Sequence, residues 1–456
     1  VRRKIQTMLR QWADSINSAE KYELLAGIFE AAGGDFLDAA QVYYNKASEK
    51  KSRLITTQNV LKSGKIHYKE GGREKLYTAK NELEKALKEF KELSSIADQA
   101  EACLQLLLVH NRLGIVKEGI KYGEKAVDLY RQLVEIDSSK IFELAQALRG
   151  LALISIRGIP DVSTIIKIEE KEHCIKILEE ATKLCKVSFE LLRRIGNRSG
   201  ERGGGQTLNV LGVIKLRLED YIEAEKCFDE FLNLSGRSRF LRESFQGYRN
   251  VALSEYNLAL KEPGKKKDWL DKAVINYDHA IRCLGGDPKI PNQQPRSRDE
   301  FNTRYNRSCA KMERAEPEDI EFAMQELITL KSVAPNIVPS HEIWHWRANI
   351  LSALSKAYSK LDRDEEALRC TKELVQEYER VENKDIEKQP FGIQNAKQNL
   401  QSASIWLKQI AKAKEAEDLD QKITKQLERI NNLSQSVPSI PLKDWSTVIS
   451  QIEQIE

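Results

Sequence analysis

The hydrophobic positions of this chain recur at a fixed spacing. A small or apolar residue is followed four positions later by a residue that is usually bulky, and three positions after that by another small or apolar one. The triplets are Ala79, Leu83, Ala86; Gly119, Gly123, Ala126; Cys174, Leu178, Ala181; Ala224, Phe228, Phe231; Ala273, Tyr277, Ala280; Ala323, Leu327, Leu330; and Ala367, Thr371, Leu374. Steps of four and three keep the three side chains on one face of an α-helix. The pattern therefore predicts a series of helices that each present one close-packing seam. Self-similarity of this kind is the signature of stacked helix pairs, and no segment alternates with the period of a strand, so the expected fold is all-α.

The clearest unit runs from Gln206 to about Leu234. Leu211 and Gly212 lie on its first helix, Tyr221 opens the second, and Ala224, Phe228 and Phe231 form the inner face. Two further units match well: Leu106 to Ala126 with Gly114 at the turn, and Leu354 to Leu374 with Tyr358 on the first helix and Asp362 at the turn. The remaining triplets fit with lengthened loops at Gly158-Ile-Pro-Asp, Glu262-Pro-Gly-Lys-Lys-Lys and Glu316-Pro-Glu-Asp. An additional N-terminal pair uses Ala40, Tyr44 and Ala47 after Gly33-Gly34-Asp35. On these residues the chain resembles the tetratricopeptide repeat (TPR) superfamily, and the resemblance implies a right-handed α-solenoid of helix-turn-helix repeats. The expected division is an N-terminal helix over 1–21, repeats over 22–390, capping helices over 391–434, and a Pro-hinged amphipathic helix over 435–456. In that last helix Trp445, Val448, Ile449, Ile452 and Ile455 make one apolar stripe.

Composition narrows the class without naming a function. Of 456 residues, 41% are hydrophobic and 31% charged, and the net charge of +4 gives no global basic excess that would predict nucleic acid. No apolar run approaches the roughly 20 residues that cross a bilayer, so no membrane span is expected. The opening Val-Arg-Arg-Lys begins an amphipathic stretch instead of a signal core, which points to the cytoplasm, and the missing initiator Met to processing or a fragment. Seven scattered cysteines without a CxxC read as small core residues in a reducing compartment.

One catalytic motif is present to the letter. His341-Glu342-Ile343-Trp344-His345 is HExxH, in which two His one turn apart bind zinc and the Glu activates water. Its context favours packing: Pro339 and Ser340 read as a helix start, and Trp346 and Arg347 follow where a protease helix continues apolar. A third ligand would have to come from Glu373 or Glu377 on the antiparallel helix, since Glu365 and Glu366 lie at the far end of the hairpin. Gly203-Gly204-Gly205 lacks the Lys-Ser/Thr of a phosphate loop and reads as a flexible linker, basic through Arg193, Arg194, Arg198 and Arg202. Lys265, Lys266 and Lys267 read as exposed charge.

The TPR resemblance further implies that the inner face of each first helix lines a concave surface that binds extended peptides. The repeat pattern places Asn111, Arg112, Asn209, Arg217, Arg249, Asn257, Lys356 and Lys360 there. Basic and amide side chains on one face would suit an acidic or carboxylate-bearing protein segment. The expected function is thus a protein-binding scaffold or sensor with no catalytic residue and no cofactor. Its rivals are the recognition arm of a larger signalling assembly with an ATPase switch or caspase-like partner, and a zinc protease using His341, Glu342 and His345. Nucleic-acid binding through the basic glycine segment is a minor fourth.

Overall fold

The structure is a computed structural model that describes residues 19–32, 37–157, 159, 161–162, 165, 168–236, 241–387, 392–410, 414–433, 449–450 and 452. Among them there is no strand. The helices are α1 (Ala19–Ala32), α2 (Leu37–Glu70), α3 (Arg73–Glu92), α4 (Ile96–Leu113), α5 (Val116–Ile136), α6 (Ile141–Ser155), α7 (Ile168–Ile195), α8 (Arg198–Arg217) and α9 (Tyr221–Gly236). They continue as α10 (Leu241–Lys261), α11 (Lys266–Cys283), α12 (Arg298–Arg314), α13 (Pro317–Ile337), α14 (Ile343–Lys360), α15 (Asp364–Arg380), α16 (Asn383–Glu387), α17 (Gly392–Ile410) and α18 (Lys414–Asn431). No described helix is long and apolar enough to cross a membrane.

The chain divides into two compact units. The first comprises Val1–Arg157, Glu179–Gly203 and Ile440–Glu456; the second comprises Gly158–Leu178 and Gly204–Ser439. In the first, α1 to α6 pack each on the next, and in the second α9 to α15 do the same. Every position of the seven triplets is buried, as the spacing predicts for the seam between helices. Helices that carry the triplet (α3, α5, α7, α9, α11, α13, α15) alternate along the chain with partners that do not (α2, α4, α6, α8, α10, α12, α14), called inner helices below together with α17, and the consecutive packing is that of all-α TPR-like hairpins.

Two local devices make the hairpins possible. The first is close approach: a Cβ on Gly212 would stand 2.5 Å from Phe228, and one on Gly119 would stand 2.0 Å from Ile154. The second is a shared turn. Four inner helices, α4, α8, α12 and α14, end in a left-handed residue, Gly114 (φ 76°), Glu219 (φ 61°), Ala315 (φ 64°) and Asp362 (φ 55°) respectively. After Gly114, Glu219 and Asp362 the next amide reaches back to an orphan carbonyl, as in Ile115 N–H to His110 O at 3.0 Å, Asp220 N–H to Lys215 O at 2.9 Å and Arg363 N–H to Tyr358 O at 3.0 Å.

Several expectations change. The Gly203 to Gly205 stretch is helical and buried within α8, because Gly203 abuts Leu192 (2.8 Å to an added Cβ) and Gly205 abuts Phe231 (3.3 Å). Close packing, not flexibility, is what those glycines supply. Glu316 lies in a tight turn, with Pro317 in the first turn of α13. A long connection does fall at Gly158, over 156–167 between α6 and α7, and a second, unexpected one is 284–297, between α11 and α12. At the N-terminus α1 packs on α2 as the expected extra pair, but the seam runs through Tyr43 and Ala47, which are buried, while Tyr44 is exposed. Gly33, Gly34 and Asp35 lie outside the described residues. Of the C-terminal stripe, Ile449 and Ile452 are buried, while Trp445, Val448 and Ile455 lie outside the described residues.

Candidate functional site

Insertion 284–297 is held by two fully buried guanidiniums on α12. Arg304 donates to Glu300 (2.9 Å), Glu326 (2.9 Å), Gln293 (2.7 Å) and the carbonyls of Asp287 (3.2 Å) and Ile290 (3.3 Å). Arg307 binds Glu326, Asp278 (2.7 Å) and the Pro288 carbonyl (2.7 Å), and Ser308 donates to the same Glu326 at 2.8 Å. Planar five-donor groups suit this task, since each fork can satisfy several fixed acceptors at once. Sequence reading missed the network because its partners come from three helices and a loop.

On the inner face of the second unit, α10, α12, α14 and α17 together line a groove of about 560 Å³. Its wall carries a stripe of uncharged polar groups set in apolar surface: Asn349, Ser352 and Ser359 from α14, with Gln398, Asn399 and Ser402 from α17. Tyr256, Met312 and Ile405 add apolar surface. A chain of amides stiffens one side. Asn399 donates to Asn349 Oδ1 (2.8 Å) and to the Tyr378 hydroxyl (3.1 Å), while Asn349 and Asn395 approach His345 Nε2 at 3.1 and 3.4 Å. Cys309 also lines the groove, but burial pushes its thiol up to about 11, so it remains protonated at neutral pH.

Charge enters the groove through one cluster. Glu313 accepts from Lys356 and, at 2.9 Å, from Lys266, while Lys360 donates to the neighbouring Met312 carbonyl at 2.7 Å. Burial opposes the charge on Glu313, yet the hydrogen bonds from the two lysines outweigh it and draw the carboxyl down to about 2. Lys266 therefore belongs to a built contact, whereas Lys267, paired with Glu316 at 3.2 Å, keeps 73% of its side chain open, as expected of exposed charge.

The predicted groove residues fall into distinct groups. Six of the eight, Asn209, Arg217, Arg249, Asn257, Lys356 and Lys360, lie in the second unit, and of these Lys356 and Lys360 line the groove. Asn209 joins Arg249 through Asn250, which donates to Asn209 at 2.8 Å and accepts from Arg249 at 3.3 Å. Asn257 donates to the Leu253 carbonyl one turn earlier, at 2.9 Å. Half-buried Arg217 stands by Asp161, where its charge opposes the rise that burial gives that carboxyl. In the first unit Arg112 lies over the Tyr68 ring (4.0 Å) and donates to the Tyr68 carbonyl (2.8 Å), while Arg157 reaches Asn111 Oδ1 (3.4 Å).

A rule emerges from four of these contacts. A cation at or just past the end of one inner helix reaches the C-terminal end of the inner helix before it: Arg112 to Tyr68 O, Lys261 to Glu219 O (3.2 Å) and Lys360 to Met312 O, with Arg157, just past α6, reaching the Asn111 side-chain oxygen. Unpaired carbonyls and the negative end of the helix dipole make that spot favourable for a cation. Part of the basic bias on the inner face is therefore stapling between repeats.

The HExxH segment forms a 3-10 turn over Ser340–Glu342 followed by the first turn of α14. Glu342 is paired with Arg298, and the nearest carboxylates expected to complete a zinc site are likewise paired, Glu373 with Lys331 and Glu377 with Arg347 (3.4 Å). Burial favours the neutral form of His345, which sits edge-on between Trp344 (5.5 Å) and Trp346 (6.0 Å). Trp346 in turn packs on Phe301 at 5.3 Å. Of the motif's described side chains, Trp344 and His345 pack and Glu342 pairs at the start of an inner helix.

The groove's polar wall was legible in principle. Asn349, Ser352, Lys356 and Ser359 step along α14 by three and four residues, as do Asn395, Asn399 and Ser402 along α17. A search for apolar periodicity passes over such a stripe.

No family model and no curated protein matches this chain. Among solved structures it is similar to the human IFIT1 dimer with PPP-AAAA (14% identity, 92% of this chain and 91% of that one, TM-score 0.35). It is also similar to a monomeric IFIT1 mutant with m7Gppp-AAAA (13%, 90% of each chain, TM-score 0.35) and to the APC/C hetero-tetramer Cut9-Hcn1 (12%, 93% and 96%, TM-score 0.23). At such scores the assignment of the fold rests on the helix packing itself: an all-α array of TPR-like hairpins with a polar groove on its inner helices.

Proposed function

We propose that this chain is a non-enzymatic scaffold that binds an extended polypeptide segment in the α10–α12–α14–α17 groove. The observation that carries the reading is the groove's chemistry. Ser352, Ser359, Ser402 and Gln398 offer donors and acceptors in a trough crossed by four inner helices. With helices spaced about 8–10 Å apart, a strand-like segment of about eight to ten residues at ~3.3 Å each would span it. Uncharged hydroxyl and amide groups read a peptide backbone, which repeats one donor and one acceptor per residue. An acidic residue in that segment would meet Lys356 and Lys360. A continuous cationic track, as single-stranded nucleic acid requires, is not what these walls supply. Scaffold and recognition arm of a larger signalling assembly make the same demand on the groove, and the cytoplasm is the proposed compartment.

The test is an array of random-sequence decapeptides probed with the full chain. Bound peptides should be lost with Ser352→Trp, which fills the trough from a half-buried position while the melting temperature stays within about a degree. An array with no bound peptide, or binding indifferent to Ser352→Trp, would sink this reading.

A further inference from the structure

Resting on that reading, we infer that His345 is a positioning residue that fixes which way the groove's amides point, so that Asn399 Oδ1 is the acceptor for an N–H of the bound segment. The ring itself does not line the groove. Donors and acceptors leave one arrangement. An amide nitrogen only donates, so His345 Nε2, approached by Asn349 Nδ2 at 3.1 Å and Asn395 Nδ2 at 3.4 Å, is the acceptor, and the ring carries its proton on Nδ1. With Nδ2 turned to the histidine, Asn349 presents Oδ1 to α17. There Asn399 Nδ2 donates to it at 2.8 Å and to the Tyr378 hydroxyl at 3.1 Å. Both amide hydrogens of Asn399 are then spent inside the wall, and its Oδ1 is the group left over on a side chain that lines the groove.

The direction comes from the histidine. A half rotation of an asparagine amide exchanges its oxygen for its nitrogen, whereas the His345 ring is held edge-on by Trp344 and Trp346, with centroids at 5.5 and 6.0 Å. A wall with a fixed acceptor tells a ligand N–H from a carbonyl or an N-methyl group; freely turning amides would take either of the first two. A proton on Nε2 would reverse the chain. Asn349 and Asn395 would turn their oxygens to the ring, Asn349 Nδ2 would then face Asn399 Nδ2, and Asn399 would turn in its wake and put a donor at the groove. Among the described side chains, the charged groups about the ring are Glu342, held by Arg298 of α12, and Arg347, held by Glu377 of α15, while α15 adds the Tyr378 hydroxyl and α17 the Asn395 amide. Burial outweighs Glu342 and favours the neutral ring, the form that the two amides need.

The experiment takes peptides without Asp, Glu or His that the full chain retains on the decapeptide array, and remakes each with one backbone N-methyl group at every position in turn. In wild type, methylation at one position should weaken binding about tenfold, the loss of one hydrogen bond. His345→Phe keeps a ring but offers no acceptor, so it should bind the unmethylated peptide about tenfold more weakly and lose the sensitivity to that methyl group. His345→Gln, whose amide oxygen can stand where Nε2 stands, should restore both. Lowering the pH from about 7.5 to about 4.5 should weaken binding to wild type as His345 takes up a proton, and His345→Gln should not follow. Should His345→Phe fail to fold, the methyl scan of wild type and the pH profile of His345→Gln still decide. If no single methyl group matters, if His345→Phe keeps the same sensitive position, or if wild type and His345→Gln share one pH profile, the inference is overturned, while Ser352→Trp-sensitive binding keeps the groove reading standing. If Ser352→Trp has no effect, the groove reading falls first.

Discussion

Helix α12 carries two charge networks within ten residues, and they are built on opposite principles. Around Arg304 and Arg307, both fully buried, the carboxylates of Glu300, Glu326 and Asp278 and three loop carbonyls leave the guanidiniums saturated. Around Glu313 one carboxylate serves lysines that are 39% and 50% open to solvent. The first arrangement tolerates no vacancy, because a buried charge without its partner has nowhere to find water. The second can exchange partners at small cost, since a lysine that loses its carboxylate turns to solvent. Saturation marks the structural network, and surplus marks the one suited to binding.

Breaking the saturated network should have the largest effect. Glu326→Leu would take from each buried guanidinium one of its two carboxylates, leaving Arg304 with Glu300 and Arg307 with Asp278, and is expected to cost about 3 kcal/mol, read as a large fall in melting temperature. Replacing Arg304→Met, Arg307→Met, Glu326→Leu and Glu300→Gln together, so that no fully buried charge is left without its partner, should recover much of that loss. A single variant as stable as wild type would show that the network is not what holds segment 284–297.

Glu255 sharpens the contrast from the other side, as a carboxyl only 3% exposed that accepts from an amide, Asn276 Nδ2, at 2.9 Å. Burial, helped by Glu225 and Asp229 and opposed by Lys272, pushes it up to about 8. A carboxyl raised in the folded state favours folding while protonated. Its contribution is thus full below the unfolded value near 4.5 and lost as pH rises through about 8. Glu255→Gln should therefore match wild type near pH 4 and exceed it near pH 9 by several kcal/mol, roughly. Urea unfolding at both pH values decides the point, and parallel curves would refute it.

Smaller effects should attend the open network. Glu313 lies low in the folded state, so its contribution is present above about pH 4.5 and disappears as pH falls toward 2. With half-exposed partners, Glu313→Gln should cost only about 1 kcal/mol at neutral pH. The smallest expected change is at the staples: Lys261→Met and Arg112→Met should each cost about 0.5 kcal/mol, eased by added salt. Losses of several kcal/mol at either would mean that the inter-repeat contact is the principal bond between hairpins.

The sequence alone determined the helices and their seams. Steps of four and three residues are properties of one helix, and each triplet position from Ala79 to Leu374 is buried where that step predicts. Turns at Gly114 and Asp362 were legible for the same reason, since a left-handed residue after the last turn is a local requirement. What only the tertiary structure decided is where charge goes. Asp278, Glu326 and the loop carbonyls meet Arg304 and Arg307 across 14 to 29 residues, and Lys356 meets Glu313 across 43. Whether a cation is a staple, as Lys261 is, a buried strut, as Arg304 is, or a binding group, as Lys356 is proposed to be, depends on which neighbouring helix end lies within 3 Å or so of it. Backbone periodicity is written within a single helix, but electrostatic partnership is a property of space between helices, and packing alone settles it.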